Sequence, residues 1–330
     1  MNRIQRIFFL SPILVWFLLV SPSAREKLNK LTERDKSVLF RIPVWTSHGT
    51  PTPGTSLGIE DFKVLNGASS LKISSFLGPD SPMLLFIAFD TVGDINNINR
   101  ARAGVIQELE ALGEQYWAGL ISAQEQLTVL QEPTADRQLL RQKVEELTQI
   151  GKAGLLESIE PIADLTTGIL LKTDVRVAVI LITDSDIGNY RADYLNPPVN
   201  ASDSRDLSRR FAGRALQEKI SRMTTSLARR QAPIFIVHID PGRDPLNISY
   251  HNGLKQLAES VGGQCFLSKT ITNIEPMIRD AFRWAKSYYL LSFSLSSAKS
   301  GFIRIQVLPT NEEAAAIAGR LTYPVRLFCP

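Results

Sequence analysis

The sequence predicts an α/β fold in which a doubly wound, mainly parallel sheet is flanked by helices. Two uninterrupted apolar runs support this prediction, residues 84–89 and 175–183, because a strand that is buried on both faces has a continuous apolar sequence. Each run ends in an aspartate, Asp90 or Asp184. Apolar segments alternate with segments of helical periodicity along the chain, which implies right-handed crossovers and one central sheet.

The first residues, 1–24, have the pattern of an export signal. Arg3 and Arg6 precede an apolar stretch over residues 7–20, and small residues at 21–24 offer a cleavage point. The stretch is short for a membrane span, which takes about 20 apolar residues, so we expect no stable span after signal cleavage. An uncleaved anchor is the alternative. The pattern predicts a protein that is exported to the periplasm or the extracellular space.

Residues 25–80 are predicted to form a small N-terminal β extension and a linker. Residues 38–45 alternate in part between apolar and polar side chains, as a half-buried strand does. Residues 61–65 and 71–76 have the composition of two short strands, and the Asn-Gly pair at 66–67 between them is a tight-turn signal.

Residues 81–290 are predicted to form the central α/β domain. Apolar residues recur at helical spacing in its helices, and one helix would be capped by Thr134 and ended by Gly151. We expect strands at residues 84–89, 116–122, 127–130, 175–183, 233–239 and 264–267. We expect helices at residues 97–112, 134–150, 155–170, 207–231, 251–260 and 274–287.

The last segment, residues 291–330, is predicted to add C-terminal β strands. Strand-like runs at 288–295, 302–308 and 319–328 follow one another with no crossover helix between them. We therefore expect an antiparallel C-terminal β-hairpin or sheet edge.

The charge of the chain argues against a nucleic-acid partner. The formal net charge is +4, and removal of residues 1–24 takes away two arginines and no acids, leaving 35 basic and 33 acidic residues, or +2. Nucleic-acid binding normally needs a concentrated basic surface. The densest basic stretch, residues 205–230, carries apolar residues at helical spacing between its arginines, which is typical of a solvated helix face.

Several familiar catalytic signatures are absent from the sequence. It has no Gly-rich dinucleotide loop, no phosphate-binding Gly-Lys-Ser/Thr and no His-Glu-x-x-His helix. The three histidines, His48, His238 and His251, limit acid–base and zinc chemistry. His238 lies inside a predicted strand, which favours a packed residue over a catalytic one. We therefore expect that the protein is not an enzyme.

Cys265 and Cys329 are the only cysteines. Export would carry them into an oxidising compartment, where a disulfide can form. The sequence leaves two alternatives open, a bridge between them or two packed free thiols.

The order of these elements resembles the von Willebrand factor type A domain. The resemblance rests on the aspartate-ended strands at 84–90 and 175–184 and on the helices around them. The preceding segment 57–76 and the final segment 288–293 are similar to those of an exported bacterial branch related to that domain, so the resemblance covers about residues 38–328. It implies a Rossmann-like fold and, in many members, a metal-ion-dependent adhesion site built on Asp-x-Ser-x-Ser, a threonine and a second aspartate.

The resemblance implies a degenerate metal site on Asp90, Asp94 and Asp184. Val92 stands at the first serine position, Asp94 replaces the second serine, and Ala153 stands at the threonine position. Because Val92 and Ala153 offer no side-chain oxygen, affinity for Mg²⁺, Mn²⁺ or Ca²⁺ should fall. We therefore expect no cofactor, and a weakly bound ion is the alternative. The structural alternative is that the carboxylates organise their own loops by accepting backbone hydrogen bonds.

The expected function is a secreted, non-enzymatic protein-binding, adhesion or scaffolding module. An unidentified protein partner would contact the loops at the carboxyl edge of the sheet. These loops include residues 185–206, where Tyr190 and Tyr194 could serve as aromatic anchors. A hydrolase that uses a carboxylate-bound divalent ion in the same crevice and a purely structural envelope component are the alternatives.

Overall fold

A computed structural model of the protein describes most of the chain after the predicted signal. The described residues are 37–46, 57–124, 127–148, 153–186, 204–239, 242, 244–296 and 300–329. The predicted signal, residues 1–24, lies outside them. No helix in these ranges combines the length and the apolar character that crossing a bilayer requires.

Strands and helices of the described residues are numbered here in chain order. The strands are β1 Ser37–Val44, β2 Phe62–Asn66, β3 Ser69–Leu71, β4 Ile73–Leu77, β5 Met83–Asp90, β6 Tyr116–Ser122, β7 Thr128–Thr134, β8 Arg176–Thr183, β9 Ile234–Ile239, β10 Cys265–Ser268, β11 Tyr289–Ser296, β12 Gly301–Pro309 and β13 Arg326–Cys329. The helices are α1 Ile95–Glu110, α2 Arg137–Glu145, α3 Leu155–Lys172, α4 Ser204–Leu227, α5 Pro245–Ser260, α6 Ile274–Lys286 and α7 Glu312–Ala318.

A six-stranded sheet confirms the predicted α/β fold. Its strand order is β10-β9-β8-β5-β6-β7, and all neighbours pair in parallel except β7, which runs antiparallel at one edge. Every residue of β8 and β9 is buried, as the continuous apolar runs predict. Full burial of a Val, Leu or Ile side chain contributes about 1.5–3 kcal/mol to the free energy of folding. The parallel order brings the carboxyl ends of β5 and β8 side by side.

The six helices expected in the α/β domain are present, with shifted bounds. Helix α2 ends at Glu145, before the predicted end at residue 150, so Gly151 does not end it. Helix α2 begins after Asp136, whose carboxylate accepts the Leu139 N–H over 3.0 Å, so Asp136 caps the helix instead of Thr134. Helix α5 begins at Pro245, several residues before the predicted start. Asp244 caps it, and proline at the first helical position loses no helical hydrogen bond.

The N-terminal extension and the C-terminal strands form two shared antiparallel sheets. One sheet has the order β1-β11-β4 and the other has the order β13-β12-β2-β3. Their inner faces enclose a second hydrophobic core. Its members include Phe40, Phe62, Tyr289, Phe293 and Ile305. Segments from the two ends of the chain therefore complete one β part, packed beside the α/β part.

The strand predicted at 71–76 is divided between these sheets. Strand β3 turns back onto β2 through Gly67, which adopts a φ of 58° that glycine tolerates without steric cost. Strand β4 pairs with β11 instead. The predicted strand at 319–328 is also shorter, because helix α7 forms first and only Arg326–Cys329 pairs, antiparallel, with β12.

Arg41 joins the β part to the α/β part. It lies on β1, and its guanidinium donates to the carbonyl of Leu170 over 2.9 Å, to the carbonyl of Thr173 and to the carboxylate of Asp174 over 2.9 Å. Because these acceptors lie at and just beyond the end of α3, one side chain fixes β1 against that helix end. The indole N–H of Trp45 adds a bond to the carbonyl of Trp284 over 2.9 Å.

The two cysteines are unpaired in the structure. Cys265 lies partly buried on β10 of the central sheet, whereas Cys329 is buried in the core of the β part. Burial raises the pKa of the Cys265 thiol to about 12. This thiol is therefore protonated and unreactive at neutral pH.

Candidate functional site

Asp90 and Asp184 meet at the carboxyl edge of the central sheet. Asp90 is the last residue of β5, and its register partner on β8 is Thr183, the residue before Asp184. The backbone N–H of Asp184 reaches the Asp90 carbonyl over 3.4 Å. Parallel pairing of two equally buried strands therefore places the two predicted carboxylates next to each other.

The Asp90 carboxylate is fully buried, and each of its oxygens accepts a hydrogen bond from the protein. Oδ1 accepts the backbone N–H of Gly154 over 2.7 Å, and Oδ2 accepts the hydroxyl of Thr183 over 2.8 Å. Burial raises the pKa of Asp90 to about 8, against the lowering effect of these two bonds. The nearby charges of Asp184 and Glu157 raise the pKa further. Asp90 therefore anchors the start of α3 to the end of β5.

The Asp184 carboxylate holds the loop that follows β5. Oδ1 accepts the Val92 N–H over 2.9 Å, and Oδ2 accepts the Gly93 N–H over 2.7 Å. Burial raises the pKa of Asp184, and the two backbone bonds lower it. A Cβ atom at position 93 would lie 2.9 Å from Oδ2, so only glycine allows this close approach. Asp184 thus fixes the path of the chain between β5 and α1.

Asp94, the third predicted carboxylate, lies at a different kind of position. It is the N-cap of α1, and its Oδ1 accepts the Asn96 N–H over 2.7 Å. Nowhere in the described ranges do three or more His, Cys, Asp or Glu side chains converge as metal ligands do. The structure therefore brings together two of the three predicted residues, and it places the third at a helix start.

Val92 and Ala153 stand where the adhesion motif has a serine and a threonine ligand. Ala153 is buried and forms an isolated backbone bridge with Gln124, and Val92 contributes only its backbone N–H. A hard divalent cation needs about six oxygen ligands, of which this edge supplies few. The carboxylate oxygens of Asp90 and Asp184 already accept protein hydrogen bonds. The described residues of this edge therefore do not fit an adhesion-type metal site.

A buried chain of hydroxyl groups continues from Asp90, and sequence reasoning missed it. The Thr183 hydroxyl lies 2.7 Å from the Ser185 hydroxyl, which lies 2.8 Å from the phenol oxygen of Tyr250. All three side chains are buried. The sequence signal for this chain is the spacing of Thr183 and Ser185. Side chains two residues apart on a strand lie on the same face, so the two hydroxyls at the end of β8 face the same way. This chain ties β8 to helix α5.

Two histidines extend the same network. His238 Nε2 lies 2.9 Å from the Ser185 carbonyl, and His238 Nδ1 lies 3.0 Å from Nδ1 of His251. Burial lowers the pKa of His238 to about 4, so its ring is neutral at neutral pH. Since a carbonyl only accepts, Nε2 carries the proton and Nδ1 accepts from His251. His238 is fully buried, as the packed-strand interpretation predicts.

Some predicted features of this edge lie outside the described residues. They are Gly151 and Lys152 of the segment matched to the threonine loop, and most of the long segment after Ser185, including Tyr190 and Tyr194. The edge that the structure describes consists of residues 90–95, residues 153–155 and residues 183–186.

Comparison with known proteins finds similarity at the level of solved structures. No family model matches the sequence, and no curated protein matches it closely. The von Willebrand factor domain of the type V pilus tip protein Mfa5 from Porphyromonas gingivalis is 15% identical with a TM-score of 0.43, covering 62% of this chain and 94% of that chain. A von Willebrand factor type A structure from Catenulispora acidiphila is 11% identical with a TM-score of 0.41, covering 81% and 72%.

A third similar structure is an aerotolerance-related membrane protein from Bacteroides fragilis. It is 9% identical with a TM-score of 0.39, covering 61% of this chain and 98% of that chain. Two of these three structures are von Willebrand factor domains, the family that the order of elements in this chain resembles.

Proposed function

We propose that this protein is an exported, non-enzymatic protein-binding module of von Willebrand factor A type, and that its binding loops are held without a divalent ion. One observation carries the proposal. The carboxylates of Asp90 and Asp184, at the two aspartate positions of an adhesion site, accept hydrogen bonds from the protein's own loops. The loop geometry that an ion organises in an adhesion site is organised here by the chain itself.

Fixed loops support a binding role for this edge. Asp184 holds residues 92–93, Asp90 holds Gly154, and the buried hydroxyl chain holds Ser185 against α5. Loops that are ordered before binding lose less conformational entropy when a partner docks. Ile95, the first residue of α1, is 48% exposed at this edge and offers an apolar contact.

The surroundings of the polar groups support a role other than hydrolysis. The Ser185 hydroxyl bonds to Thr183 and Tyr250, not to a histidine ring, and His238 bonds to a carbonyl. A hydrolase nucleophile needs an adjacent general base and access to substrate. These groups are buried. Among the residues that the structure describes at this edge, no contact favours the hydrolase alternative.

A Gly-x-Ser-x-Gly spacing does occur in the sequence, at residues 54–58. Residues 54–56 lie outside the described ranges. Gly58 leads into a short 3-10 turn at Ile59–Asp61 and then into β2, whereas the hydrolase motif leads from a strand into a helix. This context supports the non-enzymatic proposal.

Site-specific photo-crosslinking in producing cells tests the proposal. A photoreactive amino acid replaces Ile95 at the carboxyl edge, and a matched control replaces Glu114, which is exposed at the opposite edge before β6. We expect a discrete protein adduct from position 95 that persists when a chelator is present. Equal adducts from both positions would contradict the use of this edge, and loss of the adduct on chelation would contradict ion-independent loops.

A further inference from the structure

The outer face of the four-stranded sheet carries a second candidate interaction surface, away from the edge described above. Alternate residues of β12 point outward, and register pairing adds residues of β13 and β2 to the same face. The opposite side chains, such as Ile305 and Val307, are buried in the core of the β part. We define the arginine face as Phe302, Arg304, Gln306 and Leu308 of β12, Phe328 and Arg326 of β13, and Leu65 and Lys63 of β2.

Two arginines face each other at the centre of this surface. Arg304 and Arg326 are register partners on antiparallel strands and both are exposed. Side chains at such positions lie roughly 5 Å apart at Cβ, where like charges destabilise the sheet. Neither arginine makes an ion pair with an acidic side chain of the described residues. Within the described part of the chain this repulsion has no acidic counterpart, and an anionic ligand would relieve it.

Two further basic residues lie beside the arginine pair. Lys63 is exposed on β2 at the far end of the face, and the guanidinium of Arg229 lies 4.2 Å from the centroid of the Phe328 ring. The face as defined contains no acidic residue. An acidic partner would meet a local cationic surface although the chain as a whole is near neutrality.

Apolar groups lie at both ends of the arginine pair. Phe302 is 48% exposed and packs edge to face on Phe328, with ring centroids 5.3 Å apart. Leu308, at the other end of β12, is 40% exposed. A depression of about 340 Å³ opens beside Arg304 and Gln306, next to the Gly67 turn. Along β12, Phe302 lies about 7 Å from Arg304 and Leu308 lies about 14 Å from it on the other side, with Gln306 between.

We propose that the arginine face binds an acidic polypeptide segment whose carboxylates pair with Arg304 and Arg326 and whose apolar side chains cover Phe302 and Leu308. Guanidinium groups bind carboxylates through paired, charge-assisted hydrogen bonds. A polypeptide supplies carboxylates and apolar groups in one extended strand, which matches the mixture on this face. Single-stranded nucleic acid would instead need open aromatic faces for base stacking, and here the two rings pack on each other.

Fluorescence anisotropy of the intact protein with a labelled peptide tests this proposal. In the peptide, glutamate and an apolar residue take turns at every second position, with serine at the positions between, so that an extended strand presents both kinds of side chain on one face. A sister peptide carries lysine in place of glutamate. The test variant is R304Q/R326Q, and R214Q/R222Q on the exposed side of α4 is the control that removes the same charge. We expect R304Q/R326Q to weaken binding of the glutamate peptide by about tenfold or more, the control to leave it nearly unchanged, and the lysine peptide not to bind.

Thermal unfolding establishes that each variant is folded, and R304Q/R326Q should be at least as stable as the parent because the repulsion is removed. Equal affinity of the two double variants for the glutamate peptide would overturn the proposal. Tighter binding of an oligonucleotide or an anionic vesicle, lost in the same R304Q/R326Q variant, would overturn it as well. Crosslinking from position 95 is independent of these results, so the two proposals can fail separately.

Discussion

The carboxylate of Asp90 accepts the backbone N–H of Gly154 over 2.7 Å, although the two residues lie 64 positions apart in the chain. Asp90 ends β5 and Gly154 precedes α3. The bond therefore sets the start of a helix against the edge of the sheet. In an adhesion-type site a carboxylate at this position would bind a metal ion, whereas here it accepts a backbone N–H.

The unfolding free energy should depend on pH through Asp90. Its pKa is raised by burial from 3.8 to about 8, so the folded protein holds a proton that the unfolded chain releases in that range. This contribution is fully present below pH 3.8 and is lost as pH rises through about 8. The pKa of His238 is lowered from 6.5 to about 4, so its contribution is present above pH 6.5 and is lost as pH falls through about 4.

Between pH 6.5 and pH 8, of these two groups only Asp90 changes its contribution. We expect Asp90→Asn to flatten the pH dependence of unfolding in this range and to raise stability at pH 8 by about 1 kcal/mol or more. The amide can still accept from Gly154 and donate to Thr183 while carrying no charge. Urea unfolding across this range measures the effect. A slope as steep in the variant as in the parent would be incompatible with the buried, protonatable Asp90.

Asp90→Ala is the matched control for that substitution. It leaves the Gly154 N–H without its partner in a buried site and removes one of the two side-chain contacts of the Thr183 hydroxyl, which keeps Ser185. We expect a loss of about 2–4 kcal/mol. Stability equal to that of the asparagine variant would show that the two hydrogen bonds contribute little.

Asp184→Ala should release the loop after β5. Hydrogen–deuterium exchange measures this directly, because the N–H groups of Val92 and Gly93 are its two hydrogen-bond donors. We expect faster exchange at these amides and unchanged exchange in the middle of β8. Exchange at positions 92 and 93 that is unaffected by the substitution would refute the assigned role of Asp184.

Gly93→Ala should be costly only while Asp184 is present. The added Cβ would lie 2.9 Å from the carboxylate, and we expect a loss of about 1–2 kcal/mol in the parent. In an Asp184→Ala background this loss should shrink, giving a coupling energy of at least about 0.5 kcal/mol in a double-mutant cycle. Strict additivity would argue that the glycine is not required by the carboxylate.

Tyr250→Phe should remove the phenol group from the buried hydroxyl chain without changing ring packing. The phenol oxygen lies 2.8 Å from the Ser185 hydroxyl, and we expect a loss of about 1 kcal/mol in urea unfolding. Tyr323→Phe, at a partly exposed position of the β part, is the control and should change stability by a few tenths of a kcal/mol at most. Similar losses in both variants would mean that the buried contact carries no special stabilisation.

The sequence predicted the central sheet and the meeting of Asp90 with Asp184, because continuous apolar strands fix parallel neighbours and their carboxyl ends. It did not predict the β part correctly in detail. Strand β11 lies between β1 and β4, and strands β2 and β12 pair across most of the length of the chain. Such long-range pairing leaves no local pattern in the sequence.

Asp94 carries two conflicting sequence signals, an N-cap pattern and a position in the adhesion motif. An aspartate directly before a helical segment is a standard N-cap pattern, and that is the role the structure gives it. Alignment with the adhesion motif instead suggested a metal ligand. The bond between His238 and His251 could not be predicted, since it requires the relative positions of β9 and α5 and the protonation state of a buried ring.

The central claim is that Asp90 and Asp184 hold their own loops by hydrogen bonds and do not bind a metal ion. Isothermal titration calorimetry of the protein with Mg²⁺, Mn²⁺ and Ca²⁺ tests this claim most directly. We predict no saturable heat, and no thermal stabilisation by any of the three ions at millimolar concentration. Saturable binding that Asp90→Ala abolishes would contradict the claim.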